Sequence, residues 1–197
     1  MRKLTGTALM FAVLGVILLA TSCGKEKLTP YPFSDGDYLE YINEREDKNY
    51  PYGLRSFDRY EVSVMENSDF KVKVFSITKS SSVVQDKREV PQFERTYDSF
   101  GRLIELADGK DPGKNKGRFS RLWLPPEKRE QGKEVLLENY FKKKGVVQGR
   151  ERWRDHDAWV MKISNTSYYY HEETGFLLGT DDGFSRKILV NTNINGL

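Results

Sequence analysis

Alternation of apolar and polar residues with a period of two, cut by short polar turns, constrains this chain more than any other feature. Tyr60, Val62 and Val64 fall on one side of an extended segment, with Glu61 and Ser63 on the other. After Glu66-Asn67-Ser68-Asp69 the pattern resumes, Phe70, Val72 and Val74 against Lys71 and Lys73. Two such runs joined by a short polar link form a hairpin with one dry face. A second hairpin spans residues 92–106 around Asp98-Ser99-Phe100-Gly101, where Gly101 supplies the left-handed backbone of a bulged turn. In the last third, residues 150–154 and 158–163 flank Asp155-His156-Asp157. Residues 167–170 and 176–178 flank His171-Glu172-Glu173-Thr174-Gly175, and residues 184–190 form a final run.

Closely spaced hairpins predict a mostly β fold, a single antiparallel meander curled into a half-barrel or sandwich with at most one or two short helices. Its inward set is expected to include Tyr60, Val62, Val64, Phe70, Val72, Val74, Trp159 and Phe176. Whether that interior is a cavity or a packed core is left open by the pattern. Residues 125–144 admit two readings. Pro125, Pro126 and a Lys run before Gly145 are helix start and stop signals, while Val135, Leu137 and Phe141 fit a strand period. The favoured reading is a short helical turn over 126–130 and a strand from about Lys133. Residues 109–117 read as a solvent-facing, mobile loop rich in Gly, Lys and Pro.

The N-terminus carries a different signal. Arg2 and Lys3 precede an apolar run over 9–20, and then Ala20-Thr21-Ser22-Cys23. A charged start, a short apolar stretch and small residues before a cut site mark an export signal. The run falls short of the about 20 residues a membrane span needs. Ala20-Thr21-Ser22-Cys23 resembles the lipobox of bacterial signal-peptidase-II substrates, although Ala20 stands where that family most often has Leu. The resemblance implies a signal peptide over 1–22, a diacylglycerylated and palmitoylated Cys23, a tether over 23–32 and a β-rich globular domain over 33–197. The implied partner is membrane lipid, bound through Cys23. The implied location is the cell envelope, with the outer membrane favoured because Gly24 stands where an inner-membrane retention Asp would sit. Cys23 is the chain's one cysteine, so no disulfide forms within it. Removing Arg2 and Lys3 lowers the net charge from +3 to about +1, so the basic precursor says nothing about nucleic acid, which an exported, tethered domain is not expected to bind.

Candidate chemistry is sparse. The two histidines, His156 and His171, both read as turn residues, and a zinc site ordinarily needs more ligands. No nucleophile elbow occurs. The stretch 109–115 lacks the glycine spacing and the Ser or Thr of a phosphate loop. Asp35-Gly36-Asp37 and Asp181-Asp182-Gly183 read as turns, not as a calcium loop. Lys and Arg over 128–154 are interleaved with Glu130, Glu134, Glu138 and Glu151, as on a solvated strand face. Lys142-Lys143-Lys144 suit anionic headgroups near an anchor.

Tyr168-Tyr169-Tyr170-His171-Glu172-Glu173-Thr174-Gly175-Phe176-Leu177-Leu178 resembles the late hairpin of Lol-type lipoprotein carriers and receptors. That resemblance implies a curved, incompletely closed sheet that holds acyl chains, although no strong lid helix is present. The expected role is non-catalytic, binding an envelope protein or an apolar ligand such as lipid, with no cofactor and no metal. The alternative is a hydrolytic or metal-dependent enzyme using a turn histidine. The anchor is tested by labelling with a palmitate analogue. Wild type should incorporate label and fractionate with membranes, and Cys23→Ser should do neither; unlabelled wild type contradicts the lipobox reading.

Overall fold

The computed structural model describes residues 27–45, 55–79, 88–139 and 143–197. Cys23, the apolar run before it and Lys142 lie outside the described residues. Eleven strands form one antiparallel sheet: β1 (Tyr38–Arg45), β2 (Arg55–Val64), β3 (Phe70–Lys79), β4 (Arg88–Tyr97), β5 (Leu103–Leu106), β6 (Glu134–Val135), β7 (Gly145–Trp153), β8 (His156–Ile163), β9 (Thr166–His171), β10 (Leu177–Asp181) and β11 (Ser185–Thr192). The spatial order is β5-β4-β3-β2-β1-β11-β10-β9-β8-β7-β6. Two runs of sequential hairpins therefore meet where β1 pairs with β11, and the sheet edges fall between β5 and β6.

The sheet is not closed into a barrel by its edge strands. Residues 117–120 lie in the gap and alternate their hydrogen bonds between the two sides. Gly117 N–H donates to Leu103 O at 2.7 Å, Leu103 N–H to Arg118 O at 2.8 Å, and Ser120 N–H to Gly101 O at 2.8 Å. On the other side, Phe119 N–H donates to Leu136 O at 2.9 Å, and Glu138 N–H to Phe119 O at 3.0 Å. One segment thus satisfies backbone groups that both edges would otherwise leave open. For this to happen the sheet must curl until its edges nearly meet.

A buried carboxylate reinforces the same junction. Glu138, 2% exposed, accepts from the Tyr97 hydroxyl at 2.7 Å and lies 2.7 Å from Arg95 Nη1. Arg95 and Tyr97 belong to β4, beside one edge, and Glu138 follows β6 at the other. Burial pushes the phenols of Tyr31, Tyr41 and Tyr97 up, so each remains a neutral donor.

The concave face holds the main core. Tyr60, Val62, Phe70, Val72, Val74 and Phe176 are buried there, as the alternation predicts, with Leu39, Tyr41, Tyr97, Trp123, Met161 and Tyr170. Trp159 packs against it only partly buried, under the Arg150 guanidinium. Val64 does not belong to it: as the last residue of β2 it is 39% exposed, past the end of the packed face. Tyr31 and Phe33 also enter the core, and the Thr29 hydroxyl donates to Glu127 at 2.8 Å. The fold therefore takes up residues that the sequence reading placed in the tether.

Two further expectations need adjustment. Over 125–139 the helical turn shrinks to a 3-10 turn, Pro126–Lys128, and the strand to Glu134–Val135, followed by a bridge at Leu137, while Phe141 lies outside the described residues. Residues 109–117 are not wholly solvent-facing, because Asn115 is buried and its Oδ1 accepts from Asn139 N–H at 3.1 Å.

Two glycines are fixed by close approach. Gly101 has φ 77° at the β4–β5 turn, and a Cβ there would lie 2.7 Å from the Tyr31 ring. Gly175, at φ 75°, would place a Cβ 2.3 Å from Leu124 O and 2.1 Å from Arg129. Glu138→Ala should cost about 3 kcal/mol by leaving Arg95 Nη1 and the buried Tyr97 hydroxyl without the carboxylate they share, read as a lowered urea midpoint. A loss of about 0.5 kcal/mol or less, the scale of surface substitutions, would contradict the latch.

Candidate functional site

Inward positions along the strands change from apolar to polar toward one end of the sheet. On β1 the series is Leu39, Tyr41, Asn43; on β2 it is Val62, Tyr60, Asp58, Ser56; on β9 it is Tyr170, Tyr168, Thr166. Register aligns these polar ends. Ser56 pairs with Asn43, Asn43 with Lys187, Lys187 with Thr180, and Thr180 with Tyr168. Five neighbouring strands thus present one continuous row of hydrogen-bonding side chains. Directly behind it on the outer face runs an apolar row, Phe57, Ile42, Ile188 and Gly179, capped by Trp153 stacked on Tyr169 at 3.7 Å.

The polar row lines a cavity of about 400 Å³ that also includes Tyr41, Tyr60, Leu177 and Arg121. Arg121 arrives from the opposite side, on the segment that follows the edge-bridging residues. Its backbone is fixed there: the Tyr170 hydroxyl donates to Arg121 O at 3.2 Å, and Leu177 N–H donates to Leu122 O at 2.9 Å. On the same segment the Tyr31 hydroxyl donates to Ser120 Oγ at 2.9 Å, and Trp123 Nε1 donates to Thr174 O at 3.0 Å. The Arg121 side chain donates from Nη2 to the Tyr60 hydroxyl at 2.8 Å, and its remaining exposure faces the cavity. The adjacent Tyr60 and, less strongly, Glu138 outweigh burial and keep the pKa of the Arg121 guanidinium above its ordinary range, so the side chain stays charged.

Other charges at this end are paired. Lys187 meets Asp58, and Arg186 Nε lies 2.8 Å from Asp181 Oδ2. Asp182 turns its carboxylate on its own loop, accepting from Phe184 N–H at 2.9 Å and Ser185 N–H at 2.8 Å. Those backbone donors hold its pKa low. Burial alone would raise Asp181, but the Arg186 and Gly183 hydrogen bonds outweigh it and lower its pKa. Asp35 and Asp37 likewise accept backbone N–H groups, from Val64 at 3.0 Å and Ser34 at 2.7 Å. Both acidic clusters are turns.

The histidines occupy strand ends and not the middles of turns. His156 opens β8, because the β7–β8 turn is Arg154-Asp155 with Arg154 at φ 54°, and His171 closes β9. Their ring centroids are 5.6 Å apart. His171 Nδ1 accepts from Thr174 N–H at 3.3 Å and meets the Thr174 hydroxyl at 3.1 Å, which places the ring proton on Nε2 in the neutral form. Glu172, next to His171 in the chain, is engaged by Arg150. Among the described residues, no carboxylate or serine side chain is hydrogen-bonded to either ring, and no three His, Cys, Asp or Glu side chains group to hold a metal ion. Lys144 pairs with Glu134 at 2.5 Å, and Lys143 with Ser164, so both exposed cations just before β7 have partners.

Comparison with known protein families, curated proteins and solved structures gives no match.

Sequence reasoning missed this cavity because it treated the inward face as uniformly dry. Asn43, Ser56 and Lys187 were visible as polar residues, but their common level appears only once β1 is placed between β2 and β11.

Burial and the neighbouring His156 lower the His171 pKa from 6.5. The unfolded chain therefore binds this proton first, and stability is lost as pH falls below about 6.5 toward the folded value. An NMR titration of the His171 ring should give a midpoint below 6.5. A midpoint above that value contradicts the burial of its neutral form.

Proposed function

We propose that this chain is an envelope lipoprotein, tethered by an acylated Cys23, whose curled sheet binds a small polar ligand without transforming it. The observation that supports this most is the polar cavity inside an otherwise apolar concave face. Convergent polar groups in a recess of several hundred Å³ are the usual form of a small-molecule site. Their alignment on five strands around one recess lets an occupant hydrogen-bond to several of them at once.

The same observation weighs against an acyl chain as the ligand. A carrier of lipid tails needs an apolar interior, whereas here the apolar part of the concave face is filled by packed side chains and the open part is polar. An envelope protein remains a second class of partner, docking on the outer apolar row. A non-catalytic role is favoured over hydrolysis because His171 spends Nδ1 on Thr174, leaving no base–orienter pair at the histidines.

The test uses full-length protein purified from its own envelope in mild detergent and analysed by native mass spectrometry. Wild type should carry a small molecule at about one per chain, and Thr180→Phe, which fills the cavity, should lose it in about tenfold excess. Circular dichroism should show the variant still folded. Unoccupied wild type, or equal occupancy in Thr180→Phe, contradicts the cavity as the binding site.

A further inference from the structure

We infer that the ligand of this cavity carries an oxyanion group, a carboxylate or a phosphate, seated on the Arg121 guanidinium. The inference rests on the binding role proposed above and specifies its chemistry. It follows from a partly buried charge at the cavity wall that has no carboxylate beside it among the described residues.

Arg121 differs from the other cations near it. Arg95 has Glu138, Arg186 has Asp181 and Lys187 has Asp58, each within ion-pair distance. Among the described residues no carboxylate lies at that distance from Arg121, whose side-chain hydrogen bond goes to the Tyr60 hydroxyl. A guanidinium has five N–H donors in a fixed fork. With Nη2 committed to Tyr60, donors on Nε and Nη1 remain on a residue that lines the cavity. Glu138, the carboxylate whose charge is felt at Arg121, is already claimed by Arg95 and Tyr97. A ligand anion supplies the missing partner. Guanidinium matches the planar edge of a carboxylate or phosphate with two parallel bonds, which favours these groups over chloride.

The setting suits recognition in two further ways. The side chain is positioned before any ligand arrives, since Tyr60 holds Nη2 and its ring lies 5.7 Å from the guanidinium carbon. Pre-positioned donors lose less conformational freedom on binding. Facing Arg121 across the cavity are Asn43, Ser56 and Thr180, uncharged groups able to bind hydroxyl or amide functions of the same molecule. The ligand expected is thus polar along its length and negative at one end.

The experiment measures thermal stabilisation of the full-length protein in mild detergent by sodium phosphate and by sodium succinate. Ionic strength is matched with chloride, and succinamide serves as the neutral counterpart of succinate. Wild type should be stabilised by at least one of the two anions and not by succinamide. Phosphate alone identifies a phosphate group, and succinate alone a carboxylate. Arg121→Gln should bind about tenfold or more weakly, and Arg121→Lys, which keeps the charge but not the fork, should fall between. Should Arg121→Gln fail to fold, Tyr60→Phe, which frees the guanidinium from its guide, should still weaken the response. Equal responses in wild type and Arg121→Gln overturn the inference, as does stabilisation by succinamide equal to that by succinate. Absence of any response in wild type overturns it too. The cavity's role as a binding site is judged separately, by the occupancy of wild type against Thr180→Phe, so a neutral co-purified ligand would defeat the anion assignment alone.

Discussion

An antiparallel sheet with two free edges must hide or satisfy them, and in this chain a single segment does so for both. Residues 117–120 hydrogen-bond to Leu103 and Gly101 on one side and to Leu136 and Glu138 on the other. Those bonds bring β5 toward β6 and curl the sheet. The Glu138–Arg95–Tyr97 contact, buried at the same junction, adds a charge-assisted link between side chains on opposite sides of the gap. Curvature then decides which residues face inward together, so both the aromatic core and the polar cavity follow from how the gap is bridged.

Tyrosine hydroxyls connect that closure to the site. Tyr31 donates to Ser120, Tyr170 to the carbonyl of Arg121, and Tyr60 accepts from the Arg121 side chain. Each ring contributes apolar area to the core while its hydroxyl fastens the inner segment, a combination Phe does not offer. The same chain of contacts that closes the sheet therefore also aims the guanidinium. Neither the core nor the site can be repacked without disturbing the other.

Much of the fold was legible in the sequence because each hairpin carries its own local signal. Tyr60 to Val74 alternates cleanly, and Gly101 and Gly175 mark turns at positive φ. β1 carries no comparable signal. Tyr38, Leu39, Tyr41 and Ile42 place apolar groups on both faces, since Leu39 and Tyr41 enter the concave core while Ile42 joins the outer row. A strand buried on both sides loses its period of two. The pairing of β1 with β11 spans almost the whole chain and leaves no local trace. Val64 and His156 show the other limit, since the place of each depends on where a strand ends, and strand ends are set by turn geometry and not by hydropathy.

The site was less legible than the fold for the same reason. Asn43, Ser56, Thr180 and Lys187 are unremarkable in their own segments, and only register makes them a row. Arg121 sits in a segment with no regular strand, between Ser120 and a buried Leu122-Trp123-Leu124. Apolar flanks around a charged residue are the sequence trace of an enclosed cation, visible in hindsight. The central claim is that the bridging segment and the β1–β11 seam form one cooperative unit. Native-state hydrogen exchange tests it most directly. The amides of Leu103, Phe119 and Glu138 should be protected to the same free energy as those of Tyr41 and Leu189. Rapid exchange at Phe119 and Glu138, with Tyr41 and Leu189 still protected, would show an edge that opens independently and would contradict the account.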